Sequence, residues 1–454
     1  MTLATTLSPS PAAAASGAEK SAGPSRAVTW LRARANTTPG LLRLLGVGLV
    51  AAVVLLWAAA FTAVLVRDDA VGAMRTEAAP AFVAAQRLHA DLSEADATIV
   101  SAFLAGPVEP ADQRAAFDAS IAAAAGELRV LAGTDGAATS KDALDTLQRE
   151  LPAYTELIGQ ARANNRLGYV LGSAYLRRAS QLMQATILPA ADSLAASSAD
   201  QVDDGYRRAT SSAHVALVSA AGLISLAALV GVQYWLFRRT NRRLNLPLVV
   251  ATVLVAATVG IALDAFSAER SRLLDGRDHG FVPMSEAAQA RVLGLRAWGD
   301  EGLSLIARGD GATLDADADA VAARLGYVPN GLPTGSGLLP TLTEHLGGQG
   351  FRDGDLTRLW RDYQQTSIQV RALVTNAGGF DQAVELAHGD GAAAFGRYDD
   401  TADRALTASQ QRFGERLAAG GDALGGRAII VVVLSALALA LALVGVQSRI
   451  NEYR

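Results

Sequence analysis

Four long apolar runs divide the chain, at 44–66, 215–237, 248–266 and 428–446. Each is about 20 residues long and almost free of charge, enough as a helix to cross the roughly 30 Å hydrocarbon core of a bilayer. About 150 residues of mixed composition separate run one from run two and run three from run four, whereas only 238–247 lie between runs two and three. The order predicted is span, large segment (67–214), span, short turn, span, large segment (267–427), span. A leader (1–43) precedes it and a tail (447–454) follows it. The first run starts too late and is too long for a cleaved signal, so an uncleaved anchor is expected.

Within the large segments the apolar period is helical. Leu144, Leu147, Leu151, Tyr154, Ile158 and Ala161 are spaced by threes and fours, as are Phe82, Ala85, Leu88, Leu92, Ala95, Ile99 and Ala102. Such stripes belong to helices packed in a bundle. Breaks at Gly106-Pro107, at 133–136 and near Gly168 cut the first segment into four helices. The first continues outward from span one and the last runs inward into span two. No stretch alternates with the period of strands.

The second segment repeats the first. At an offset of 203, Pro80 matches Pro283, Ala84-Ala85-Gln86 matches Ala287-Ala288-Gln289, Ser101 matches Ser304, and Gly106 matches Gly309. At 209, Tyr154 matches Tyr363 and Arg162 matches Arg371. At 214, the five residues from Leu229 to Gln233 match those from Leu443 to Gln447. The Gly- and Pro-rich stretch 326–337 holds part of the insertion. A duplicated unit is expected, with chance identity in Ala-rich helices as the competing account. Pro80 and Pro283 are expected to kink the first helices or to mark a break between span and bundle.

Composition sets the frame. The chain has 454 residues, half of them hydrophobic, with few aromatics and abundant Ala. That favours helices with small residues at their contacts. With no cysteine, disulfides, thiolate metal sites and cysteine nucleophiles are excluded. The leader, turn and tail together carry 11 basic and 2 acidic groups, while each large segment stands at −6. Basic groups concentrated in short loops mark the cytoplasmic side. Both termini and the turn are therefore expected inside a plasma membrane, and both large segments outside. Residues 1–26 lack an apolar period and read as disordered, with 29–34 suited equally to the inner membrane surface or to a plain flexible leader.

Candidate chemistry is sparse. There is no phosphate loop, nucleophile elbow, His-Glu-x-x-His or dinucleotide turn, so no enzyme and no cofactor are expected. The five histidines are scattered, and Asp310, Asp315, Asp317 and Asp319 lack the Gly and Glu of a calcium loop, so no metal is expected either. Arg162 and Arg166 with Tyr154, and Arg371 with Tyr363, are the candidate ligand-binding groups, because an arginine fork binds carboxylates at two points. Against that, bundle arginines ordinarily face water or pair with an acid a turn away. Arg238, Arg239, Arg242 and Arg243 form a cytoplasmic basic patch that topology and anionic lipid suffice to explain, and that also suits a partner protein. His214 and Asp264, at similar depth in the hairpin of runs two and three, form a candidate outer-leaflet pair; the simpler reading is that both are wet at the interface. Two groups at one edge make no transport pathway.

Each span–bundle–span unit resembles the extracytoplasmic four-helix-bundle sensor domains of chemoreceptors and sensor kinases. The likeness lies in architecture, with no ligand motif, and the chain departs where a HAMP linker would follow the last span. The tandem units, basic leader and short tail resemble the GlnX-like actinobacterial membrane proteins, and the Ala- and Arg-rich, Lys-poor composition suits that origin. This resemblance implies an extracytoplasmic solute-binding protein as one partner and a cytoplasmic Ser/Thr kinase of the PknG type as another. The chain is thus expected to be an all-α membrane protein with four transmembrane helices and two tandem extracytoplasmic four-helix bundles. It would act as a sensor or adaptor in membrane lipid, without nucleic acid, and its Ala- and Gly-rich spans would pack between the two units or between chains, as a homo-oligomer. A structural scaffold for an envelope or transporter complex is the alternative.

Overall fold

The computed structural model describes residues 38–240, 246–307, 311–328, 332–347, 355–376 and 378–451. The leader to residue 37, Asp310, Arg242 and Arg243, the side chain of Arg239 and the last three residues lie outside the described residues. So do the side chains of 38–43, 135, 240, 420–428, 446 and 449–451.

All regular structure among the described residues is helical. The helices are α1 (Thr38–Ala73), α2 (Ala79–Leu104), α3 (Ala111–Ala132), α4 (Lys141–Arg166), α5 (Leu171–Leu182), α6 (Leu188–Ala209) and α7 (Ser212–Thr240). There follow α8 (Leu246–Gly276), α9 (Val282–Ala307), α10 (Ala312–Leu325), α11 (Leu338–Leu346), α12 (Asp355–Thr375), α13 (Phe380–Leu386) and α14 (Ala392–Asn451). The breaks expected in the first segment all occur. The insertion in the second holds α11 and an isolated bridge from Tyr327 to Pro333. There Gly326 and Gly337 have φ of 105° and 124°, and a Cβ on Gly337 would lie 2.5 Å from Gly326 Cα, so both positions require glycine.

Three helices, Leu44–Leu104, Leu171–Arg238 and Leu246–Ala307, are long and apolar enough to cross a membrane, which makes the chain membrane-associated. The second carries a short irregularity at Thr210–Ser211, between α6 and α7, where Thr210 N–H still donates to the Tyr206 carbonyl at 2.9 Å. Ile429–Gly445 is a shorter apolar stretch within α14.

The prolines near the helix bases neither break nor end the helices. A π-turn at Met74–Ala78 joins α1 to α2, one at Met183–Ile187 joins α5 to α6, and one at Arg277–Phe281 joins α8 to α9. Each ends two residues before a proline: Pro80, Pro189 and Pro283. Proline supplies no N–H and its ring crowds the carbonyl four residues back. In each π-turn the backbone N–H next after it reaches back five residues instead, to Met74, Met183 and Arg277, which widens the helix where the ring must fit. The first and third of these turns are 203 residues apart, the offset of the aligned prolines. A fourth joins α13 to α14 at Ala387–Gly391, without a proline after it.

Contacts gather the described chain into two compact units. One holds the chain up to Leu56, Ala221–Ala256 and the chain from Leu434. In it the Ser225 hydroxyl donates to the Ala52 carbonyl at 2.9 Å, and Gln233 Nε2 donates to Thr252 Oγ1 at 2.7 Å. Leu248 lies so near Gly445 that an added Cβ would meet it at 3.0 Å. Small and hydroxyl side chains thus tie successive apolar helices together, as expected without a hydrophobic drive in lipid.

The other unit is Trp57–Ala220 with Ala257–Val433, so both large segments share it. The core of the second segment, around Trp360, Tyr363, Phe395 and Tyr398, runs on into Phe82, Met74, Val202 and Tyr206 of the first. The rings of Phe82 and Phe281 meet at a tilt with centres 4.9 Å apart, and Phe281 meets Phe413 at 5.8 Å. Along the seam α2 and α9 approach closely: a Cβ on Gly302 would fall 2.5 Å from Val100 Cγ1, and one on Gly299 3.7 Å from Ala97. Arg291 closes the seam by donating to Asp399 and, across it, to Glu94 at 2.9 Å.

Candidate functional site

A cavity of about 430 Å³ lies on this seam. One wall is a face of α2, Phe82, Gln86, His89 and Ser93, and another is a face of α9, Ser285, Gln289, Val292 and Arg296. The two sets coincide residue for residue at an offset of 203, so the same register of the two helices looks into one space. Only the glutamines are alike. Gln184, in the second π-turn, and α6 residues including Leu188, Asp192 and Ala195 add to the first-segment side, and Leu293 of α9 and Arg324 of α10 add to the second.

The lining is rich in donors. His89 is almost fully buried, with Nδ1 3.3 Å from the largely exposed Asp192 carboxylate. Burial lowers its pKa, against the pull of Asp192 and with the help of Arg296, so the ring is neutral at neutral pH. Arg296 extends toward Asp300, its Nε 3.8 Å from Oδ2. Arg324 is exposed and has no polar partner among the described residues.

Further along α2 and α9 lie carboxyl groups with almost no exposed surface. Asp300 accepts from Gln184 Nε2 at 2.8 Å, while its Oδ2 has no hydrogen-bond partner. Burial pushes its pKa up to about 7, with Arg296 and Gln184 acting against that. Asp96 accepts from Ser180 Oγ at 2.9 Å and from Tyr154 Oη at 3.2 Å. Burial raises it to about 6 despite both donors. Glu301 accepts from Tyr363 Oη at 3.0 Å, and burial raises it also. Gln184 therefore connects the cavity directly to a buried acid on the other side of the seam.

The residues singled out in the sequence lie elsewhere. Tyr154 and Tyr363 are buried and spend their hydroxyls on Asp96 and Glu301. Arg162 donates to Glu109 at 2.7 Å, lies 3.6 Å from Asp118 and covers the Phe117 ring. Arg371 donates to Asp319 at 2.9 Å. Arg166 is exposed. Arg162 and Arg371 are thus engaged by acids from other parts of the chain, and none of these five lines the seam cavity. Asp315 opens α10, as an acid suits a helix N-terminus.

Near the ends of the apolar runs, Arg67 donates to Glu269 at 2.7 Å and to the Ser211 carbonyl, and its guanidinium lies over the Phe266 ring. The sequence reading missed this pair. His214 is half-buried with Nδ1 lacking a hydrogen-bond partner, and the exposed Asp264 accepts from Ser267 through its carbonyl. Of the basic turn, Arg238 is described, with its guanidinium 6.0 Å from the Tyr234 ring centre.

A larger groove, about 870 Å³, is lined by the 104–107 loop, the loop around Tyr169 and α13. Val108, Leu167, Tyr169, Val170 and Leu171 are exposed on those loops.

Residues 70–224 match the actinobacterial sensor domain family. The match covers about a third of the chain and supports a sensor-type actinobacterial protein. The α2 and α6 walls of the cavity fall inside the sensor-domain match, and the α9 and α10 walls outside it. No curated protein and no solved structure matches the chain.

The missed cavity residues had one signal in the sequence. Ala-Ala-Gln recurs at 86 and 289, and both glutamines reach the cavity.

Proposed function

We propose that this protein is a non-enzymatic transmembrane sensor in which a ligand at the seam of two duplicated extracytoplasmic segments alters the helices leading into the membrane. The observation that carries the reading is the seam cavity, walled by equivalent faces of α2 and α9. Each of these helices is continuous, through a π-turn, with a helix holding an apolar run. A ligand that binds one arrangement of α2 and α9 better than another shifts the population of the two. The shift in helix position passes along the chain to the cytoplasmic side.

The finer topology belongs to the same proposal. The 17 apolar residues Ile429–Gly445 form the fourth span, both termini and the Arg238–Arg243 turn lie inside, and the four spans face lipid or a second copy. Matching positions of the π-turns, prolines and cavity faces support the duplication. The cytoplasmic partner is proposed to be a Ser/Thr kinase and the outer one a solute-binding protein. His214 and Asp264 are proposed to be energetically coupled, which a double-mutant cycle on unfolding checks by returning a non-zero interaction term.

The scaffold reading draws on a different feature, the exposed apolar side chains around Tyr169, which suit a docked protein. Crosslinking in cells separates the two. A solute-binding protein captured outside and a kinase inside support the sensor, whereas recovery of envelope-assembly proteins alone supports the scaffold and removes the sensor.

A further inference from the structure

We propose that the seam cavity binds a small organic carboxylate, gripped by Arg296 and Arg324. The inference rests on reading that cavity as the sensor's ligand site. Its charged lining consists of two guanidiniums and one carboxylate, Asp192, which is turned to His89. Arg162, Arg291 and Arg371 are engaged by acids at hydrogen-bond distance. By contrast, Arg324 has no such partner among the described residues, and Arg296 has only the remote Asp300 oxygen at 3.8 Å.

The pseudo-symmetry sharpens the point. Of the four register positions shared by α2 and α9, only the last carries a cation on one side, Arg296 against Ser93. The cavity therefore has one cationic end. A planar fork suits the two oxygens of a carboxylate. Gln86 and Gln289 then face the rest of the ligand with amide donors and acceptors. A volume of about 430 Å³ admits a small solute and no macromolecule.

The position of Arg296 gives this binding a second consequence. A guanidinium drawn to the ligand leaves Asp300 without its nearest cation. What remains around Asp300 is the Gln184 donor and the acids Asp317 and Asp96, with Glu301 next along the helix. Two groups then favour a proton: Asp300, and His89, which feels the new negative charge beside it. Carboxylate binding accordingly takes up protons near pH 7, and its affinity falls as pH rises.

The test is calorimetry on the full chain in lipid nanodiscs. The probes are two- to five-carbon mono- and dicarboxylates, with inorganic phosphate and choline as the other classes. At least one carboxylate is expected to bind ten-fold or more tightly than phosphate or choline. Its apparent enthalpy should vary with the ionisation enthalpy of the buffer, reporting proton uptake. Arg324→Gln, which removes an exposed side chain without a partner, should weaken binding at least ten-fold at an unchanged unfolding temperature. Arg177→Gln, in the other groove, should leave binding unchanged. Tighter binding of choline or phosphate overturns the carboxylate and leaves the sensor reading standing. Failure of every carboxylate, or full affinity in Arg324→Gln, overturns the proposal. The partner crosslinking described above tests the sensor reading separately.

Discussion

A carboxyl group with no exposed surface and a single good donor is poorly placed to be charged, and Asp300 is in that position. Folding raises its pKa from the usual 3.8 to about 7. Between those values the folded chain holds a proton that the unfolded chain has released, so this residue's contribution to stability declines from about pH 4 to about pH 7 and stays low above. Asn keeps an oxygen for Gln184 and carries no charge. Asp300→Asn is therefore expected to be more stable than the parent at pH 8, by roughly 2–4 kcal/mol, with the difference vanishing toward pH 4. Unfolding midpoints of both proteins across that range check it. Tyr154→Phe acts the other way. It removes a donor to the buried Asp96, leaving Ser180 as the remaining hydroxyl, and is expected to cost about 1–2 kcal/mol in the same assay. Residue roles were unevenly legible in the sequence. The apolar stripe ending at Ala161 announced the buried face of α4, Tyr154 included, because that depends on spacing along one helix. The partners of Arg162, at Glu109 and Asp118, lie on other elements and left no local trace.

Elements were read more surely than residues. The breaks at Gly106-Pro107, at 133–136 and near Gly168 fall where expected, and the apolar runs became long helices. What the sequence concealed was how a continuous helix absorbs a proline. Pro80 and Pro283 promised a kink or a break, and π-turns take their place, each reaching back five residues just before the ring. The packing of α2 on α9 depends on the small residues Ala97, Gly299 and Gly302. A stiff β-branched Val100 stands opposite Gly302, with no room to move aside within a helix. Gly302→Ala is expected to destabilise by about 1–3 kcal/mol. Gly299→Ala, whose added methyl would make ordinary contact with Ala97, should be neutral or slightly stabilising, since alanine is the better helix former. Thermal unfolding of the pair decides between this account and one in which both glycines are merely exposed helix positions.

For the whole molecule the first question is sidedness. With no cysteine in the chain, each introduced thiol labels one site. Cysteines at Thr146 and Thr343 are expected to react with an impermeant reagent on intact cells, and one at Ser448 only after the membrane is opened. Labelling of either large segment from the inside alone would remove the sensor topology. Hydrophobic spacing, charge bias and glycine breaks fixed the helical class, the apolar runs and the internal offsets, because each is a property of neighbouring residues or of composition. The seam, its cavity and its buried acids were decided by tertiary structure. They arise where α2 meets α9 across some two hundred residues of chain, and only packing at that distance determines which arginines find acids and which are left facing the cavity.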